Sequence, residues 1–317
     1  MHIGIITPAP PGSRYGNRVT AIRWSKILRQ LGHRVVIRES YLGEPFDLLV
    51  ALHAKRSSDS TKRFHHAHPK SPIIVTLTGT DLYRDLRRSK KAQSSLDIAT
   101  RIVVLQPRAL EELRKGWREK SRVVYQSVSP RPRQNRSPKS PNFDICVVGH
   151  LRPVKDPFRA AMATRLLPRS SRIRVTNLGD AMNAREEYRA QREMNLNRRY
   201  RWLGEVPPSR VREVLSQSRL FVISSRMEGG ANALGEAIVA GLPVLASRIP
   251  GSVGILGDDY TGYFEVGDTA ELARLMIKCE TNPEFLSALT KRCSELIPLF
   301  DPDREKASWA RLIDDLT

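Results

Sequence analysis

Short runs of β-branched and aliphatic residues alternate with amphipathic stretches along the chain. "HIGIIT" is followed by a helical pattern, Arg18 to Leu31, closed by Gly32; then come "RVVIR", "FDLLVAL", "PIIVTLTG", "RIVVLQ" and "RVVYQSV". This alternation predicts a parallel sheet joined by crossover helices. The periodicity stops at "SPRPRQNRSPKSPN", residues 129–142, where proline, serine and four cations mark an interdomain linker. The same grammar then restarts with "FDICVVGHL", "IRVTNLGD", "RYRWLGEV", "RLFVISS", "LPVLAS" and "GYFEVGD", and after Asp303 a last amphipathic helix, "DREKASWARLIDDL", ends the sequence. The predicted fold class is α/β, with two Rossmann-like, doubly wound parallel-sheet domains: residues 1–135, and residues 136–317 with the terminal helix. Two such domains facing each other create a cleft at the carboxyl ends of their strands, where sheets of this kind bind ligands.

A length of 317 residues with 40% hydrophobic positions suffices for two cores. Cys146, Cys279 and Cys293 are odd in number and lack metal-ligand spacing, so neither a disulfide framework nor a metal site is expected. The apolar run in "MHIGIITPAPPG" is too short for a signal peptide and no segment reaches membrane-spanning length. A cytoplasmic protein without stable membrane insertion is expected.

Charge changes the picture more. Residues 1–142 hold 28 Lys and Arg against 10 Asp and Glu, whereas the remainder holds 25 against 23. The excess of +20 is therefore concentrated in the first half, which calls for an anionic partner there: a small phosphorylated substrate, an acidic membrane surface or nucleic acid. With aromatic residues at only 6% and no recognised module, stacking platforms for nucleic acid are missing, so no nucleic-acid partner is expected. G-x-G-x-x-G after the first strand of either half and G-x-x-x-x-G-K-[ST] are both missing, which removes the main support for a nicotinamide, flavin or P-loop protein.

The stretch "SRMEGGANALGEAIVAGLPVLAS" sets Glu228 before a glycine pair and Glu236 one turn inside a helix whose expected N-cap is Asn232. A carboxylate can accept from two neighbouring hydroxyls at once, which suits the vicinal diol of a ribose or hexose. Helix-start amides next to glycines suit a phosphate. Upstream, "VVGHLRPVKDP" supplies Gly149 at a strand end and then Lys155, an ammonium able to meet a diphosphate. As a set, these features describe a nucleotide-sugar site.

The ordered set "VGHLRPVKD", "NLGD", "WLGEV", "SSRMEGGANALGEAIVAGLPVLAS" and "TGYFEVGD" resembles the carboxyl-terminal domain of GT-B glycosyltransferases of the retaining family 4 type, over residues 143–270. The resemblance implies that Glu236 holds the ribose, Glu228 the transferred sugar, and Gly229, Gly230, Ala231 and Asn232 the sugar and phosphates. It also implies that Gly204 to Val206 seats the base and that Lys155 neutralises the diphosphate. Where that family has an arginine beside the lysine this sequence has His150, so either His150 or Arg152 substitutes or the diphosphate is held differently. The histidine usual after the fourth strand is replaced by Thr78.

In the first half, "PAPPGSRYGNRVTAIRW", "ALHAKRSS" and "TLTGTDLYRD" follow three predicted strands and offer Arg14, Asn17, Arg18, His53, Lys55, Arg56, Thr80 and Asp81. A cationic, hydroxyl-bearing mouth of this kind suits a small oxyanion as acceptor. "SRYGNRVTAIRW" and "ALHAKRS" resemble the selenosugar synthases of bacterial selenoneine biosynthesis, compact members of the same superfamily. That resemblance implies a UDP-hexose donor (N-acetylglucosamine or glucose), selenophosphate as nucleophile, a 1-selenosugar product and no metal or other cofactor. The alternative within the enzyme class is a family 4 transferase acting on a lipid or glycan at a membrane surface; a catalytically inactive sugar-nucleotide sensor is a further one.

Overall fold

The structure, a computed structural model, describes residues 1–129 and 141–316. By contact density it divides into two units, Met1–Ser127 with Glu228–Gly230 and Leu299–Thr317, and Val128–Met227 with Ala231–Pro298. The predicted linker falls mostly on residues 130–140, outside the described residues.

The first unit runs β1 (His2–Ile6), α1 (Gly16–Gln30), β2 (Arg34–Arg38), β3 (Leu48–Leu52), α2 (Ser58–Ala67), β4 (Ile73–Thr76), α3 (Lys90–Ile98), β5 (Arg101–Val104), α4 (Lys115–Glu119) and β6 (Ser121–Val123). Its six strands pair in parallel in the order β2-β1-β3-β4-β5-β6. β3, LLVAL, is apolar and buried at every position because both of its faces are covered, whereas the outer strands β2 and β6 carry the exposed Arg34, Arg38 and Arg122. Leu49, Ala51, Ile73, Val75, Ile102 and Val104 join one core with Phe64 and Leu96, while Leu48, Val50, Leu52, Ile74 and Val103 join another with Trp24 and Leu28.

The second unit runs β7 (Phe143–Val148), α5 (Arg159–Thr164), β8 (Ile173–Leu178), α6 (Ala184–Leu196), β9 (Tyr200–Trp202), α7 (Pro208–Gln217), β10 (Leu220–Ile223), α8 (Asn232–Val239), β11 (Val244–Ser247), α9 (Pro250–Leu256), β12 (Tyr263–Phe264), α10 (Thr269–Thr281) and α11 (Pro283–Glu295). Its sheet is also parallel, in the order β12-β11-β10-β7-β8-β9. Each sheet starts at an inner strand, winds outward to one side and then resumes on the other. The order therefore reverses between β1 and β3 in one unit and between β7 and β10 in the other, and such switch points are where loops separate to admit a ligand.

One expectation is corrected here. The final helix α12 (Pro302–Asp314) was expected within the second domain, yet it groups with the first unit. Trp309, Leu312 and Ile313 complete the core that contains Trp24 and Leu28, and apolar burial on that face outweighs sequence proximity. Cys146, Cys279 and Cys293 are free and buried.

Candidate functional site

At the β7–β10 switch point the chain leaves β7 through Gly149 and enters a 3-10 turn, Pro153–Lys155. Two bonds pin that turn to the loop after β10: Arg226 N–H donates to the Val154 carbonyl at 2.8 Å, and Ser224 Oγ donates to the Asp156 carbonyl at 2.8 Å. Asp156 closes the turn in the left-handed region, φ 44°, and is held by Arg159 at 2.9 Å and Arg226 at 3.7 Å. Lys155 is thereby fixed at the strand ends, lining a small cavity with Gly149, Pro157 and Ser225. Sequence reading missed Asp156 as the anchor of this turn, although its place in "VKDP" was a signal for a chain reversal.

His150 and Arg152, the two candidates for the missing arginine, have different surroundings. His150 Nδ1 accepts from the Asp180 N–H at 3.2 Å, which commits one ring nitrogen to the backbone. Arg152 has its Nε enclosed and without a hydrogen-bond partner among the described residues. An enclosed guanidinium nitrogen lacking a partner is costly unless an acceptor arrives.

Helix α8 begins one residue earlier in its cap than expected: Ala231 is the N-cap and Asn232 the first helical residue. No acidic residue lies in the first turn. Glu236 is in the second turn and half-buried, and its carboxylate acts on Cys146 of β7. Burial first, and that carboxylate in addition, push the Cys146 thiol up. Gly204 lies after β9 with φ 68°, its carbonyl accepting from Gly179 N–H at 2.8 Å, and Val206 follows half-buried in the same loop.

Glu228, Gly229 and Gly230 fall in the first unit. Glu228 is buried. The glycine pair has a structural reason different from the expected one. A Cβ on Gly229 would lie 2.5 Å from the Thr78 carbonyl carbon, and one on Gly230 would lie 2.5 Å from Leu105 Cβ. Close backbone approach to the loop after β4 and the end of β5, not openness, demands glycine here.

The other predicted residues of the first unit lie in the segments that follow the carboxyl ends of the neighbouring parallel strands β1, β3 and β4, some on loops and some in the turns or helices that open there. Arg14 is exposed ahead of α1, and Asn17 and Arg18 are half-buried in its first turn, which holds no acidic residue and no side-chain cap. Arg18 Nε is enclosed and forms no hydrogen bond among the described residues. Lys55 and Arg56 are exposed, and Lys55 Nζ donates to Asp85 at 3.2 Å. Burial raises the Asp85 carboxyl, but hydrogen bonds from Lys55 and Arg84 outweigh it and hold the group below its ordinary value. His53 is buried and sits 3.3 Å from the Thr80 hydroxyl.

Asp81 departs from its expected place as a ligand contact. Fully buried, it accepts from the N–H groups of Ala54 at 3.0 Å and of Thr78 and Gly79 at 2.9 Å each, so its carboxylate organises the loops. No group of three or more side chains able to hold a metal occurs among the described residues. None of the described helices is long and apolar enough to cross a membrane.

The chain is similar to known proteins in sequence and in fold. The Escherichia coli UDP-Gal:alpha-D-GlcNAc-diphosphoundecaprenol alpha-1,3-galactosyltransferase is 29% identical over 169 residues, which span 50% of this chain but only 42% of that protein. Among solved structures, sucrose-phosphate synthase from Thermosynechococcus elongatus superposes with a TM-score of 0.80 at 16% identity, covering 99% of this chain and 98% of that one. Anabaena Alr3699/HepE, in complex with UDP and glucose, superposes with a TM-score of 0.77 at 15% identity, covering 99% and 100%. At such identities the likeness establishes the fold, which is GT-B. The family described as Glycosyl transferases group 1 matches residues 130–295, the part that carries the Lys155 turn and the two glutamates. On that match, which spans more than half its length, the chain belongs to the glycosyl transferases group 1 family.

Proposed function

We propose that the protein transfers a hexose, N-acetylglucosamine or glucose, from a UDP-sugar to the selenium of selenophosphate. The donor class is supported by the names of the relatives: a UDP-Gal-dependent galactosyltransferase and a structure holding UDP and glucose. In this reading Glu236 accepts from the ribose hydroxyls and the loop Gly204–Val206 faces the base. Glu228 accepts from the transferred sugar, aided by the backbone of Gly229, Gly230, Ala231 and Asn232. Lys155 and Arg152 neutralise the departing diphosphate, in place of a metal ion. Arg152 takes the part of the family's arginine because its Nε lacks a partner while His150 is tied to Asp180.

The acceptor assignment is carried by Arg18. Its guanidinium stands at the positive end of α1 with Nε enclosed and no counter-anion among the described residues. An oxyanion satisfies both the helix end and the arginine, and Arg14, Asn17, Lys55, Arg56 and Thr80 occupy the same sheet edge. Selenium attacks C1 as the C1–O bond to UDP breaks, and the electron pair leaves with UDP. Water then cleaves the Se–P bond to release phosphate and the 1-selenosugar. A selenophosphate is already ionised at neutral pH, so the attack needs no general base.

Measured rates of UDP release test the reading. Selenophosphate and thiophosphate should accelerate UDP release from UDP-N-acetylglucosamine or UDP-glucose well above hydrolysis, and phosphate should do so weakly because oxygen is the harder nucleophile. No acceleration by any of the three refutes the acceptor assignment. A second reading, with a lipid-linked acceptor, is favoured by the diphosphoundecaprenol named for the E. coli relative. It predicts UDP release with a polyprenyl-diphosphate sugar and none with selenophosphate.

A further inference from the structure

Three unusual backbone features meet in the loops after β3 and β4. His53 adopts φ 73°, a left-handed conformation that is uncommon for any residue other than glycine. Gly79 has φ 134°. Asp81–Asp85 is wound as a π-helical turn, a form that recurs at functional sites. The buried Asp81 carboxylate ties the two loops together, accepting from Ala54 on one and from Thr78 and Gly79 on the other. Strain of this kind persists only where its surroundings over-determine it, and here they do.

The partners of the His53 ring assign its proton. The Arg56 N–H donates to Nδ1 at 3.3 Å, which makes Nδ1 an acceptor. Asp81 Oδ2 stands 3.9 Å from the same nitrogen, beyond hydrogen-bond reach. The proton therefore belongs on Nε2, 3.3 Å from Thr80 Oγ1, so the imidazole donates and the threonine oxygen accepts. Thr80 precedes the π-turn with no side-chain cap bond, is half-buried, and its hydroxyl makes no other hydrogen bond among the described residues. The hydroxyl proton is left as an oriented donor without a partner among those residues.

We infer that His53 is a positioning residue that holds the Thr80 hydroxyl so that its O–H donates to an oxygen of the oxyanion acceptor. The inference rests on the acceptor reading above and names the groups that make the site selective. A hydroxyl whose oxygen is already engaged by an imidazole N–H offers chiefly its proton. Every oxygen of an ionised phosphate-type group accepts such a proton, whereas a sugar hydroxyl does so only when its own proton is placed elsewhere. The strained backbone at His53 is what brings Nε2 to Thr80.

The test combines ring 15N NMR of the full chain with steady-state kinetics of Thr80→Val, Thr80→Ser, His53→Asn and the double variant Thr80→Val/His53→Asn. Asparagine tolerates the left-handed region but is too short to reach Thr80, so His53→Asn keeps the turn and removes the contact. The expected spectrum shows His53 protonated on Nε2 alone. Thr80→Val and His53→Asn should each raise KM for selenophosphate by about tenfold, the loss of one charge-assisted hydrogen bond. The double variant should be no worse than either single one, Thr80→Ser should restore KM, and UDP-sugar affinity by calorimetry should stay unchanged throughout. An Nδ1–H tautomer, or a Thr80→Val enzyme with wild-type KM, overturns the inference while leaving the proposed reaction standing. A wild-type enzyme that uses neither selenophosphate nor thiophosphate overturns the proposed reaction and this inference with it.

Discussion

Trp24 of α1 donates its indole N–H to Glu305 of α12 at 2.6 Å, joining residues 281 positions apart inside the first unit. Glu305 is 1% exposed, its second oxygen accepts from Ser127 N–H at 2.8 Å, and Arg23 stands 3.4 Å away. The rings of Trp24 and Trp309 meet edge to face at 4.8 Å beside this network. One buried carboxylate thus fastens the end of the chain to the first helix and to the last residue of the unit's first segment.

Removing that carboxylate should be costly. Glu305→Ala leaves the Trp24 and Ser127 donors buried without that acceptor and removes the carboxylate beside Arg23, so a loss of about 2–4 kcal/mol is expected. Urea unfolding measures it. Stability within error of wild type would show that water or a repacked side chain replaces Glu305 at no cost.

The Lys55–Asp85 pair makes stability depend on acid. Because the folded Asp85 value is depressed, its contribution is present above the ordinary value of 3.8 and is lost as pH falls through the lower folded value. The stability gap between wild type and Asp85→Asn should therefore be constant near neutrality and shrink below about pH 4. Thermal unfolding of both proteins across that range checks the sign. A gap that widens in acid contradicts it.

Donor binding should depend on Glu236. Losing two hydroxyl-to-carboxylate hydrogen bonds predicts at least about a 100-fold weaker UDP-sugar complex for Glu236→Ala. Calorimetric titration reads it directly. Unchanged affinity would remove Glu236 from the site.

Arg18→Ala should act on the other substrate. The expected result is a rise of about tenfold or more in KM for the oxyanion, the loss of one charge-assisted contact. UDP-sugar affinity should not move. Equal KM in wild type and variant at limiting selenophosphate contradicts the role given to Arg18.

Much of this architecture was legible in the chain because a parallel strand covered on both faces must be apolar at every position. "FDLLVAL" and "RLFVISS" mark β3 and β10 on that ground alone, and the repeated alternation with helices gave two doubly wound units. Glu236 and Lys155 are singled out in the sequence by what surrounds them, and their roles rest on the proposed function. Other features needed the fold. Gly229 and Gly230 look like a ligand cradle when read linearly, yet Thr78 and Leu105, more than a hundred positions earlier, are what forbid a side chain there. Asp81 reads as a candidate acceptor contact, but the amides of Ala54, Thr78 and Gly79 converge on it only once β3 and β4 are paired. The terminal helix shows its amphipathic face without saying which core receives it. Nor can spacing reveal that Arg18 and Arg152 each keep an enclosed Nε without a hydrogen-bond partner among the described residues.

Mass spectrometry of the products formed from UDP-N-acetylglucosamine or UDP-glucose and selenophosphate bears most directly on the whole account. A hexose mass carrying the isotope pattern of a single selenium atom, formed in step with UDP, is the predicted outcome. Sugar products without selenium, or UDP accompanied only by free hexose, would contradict it.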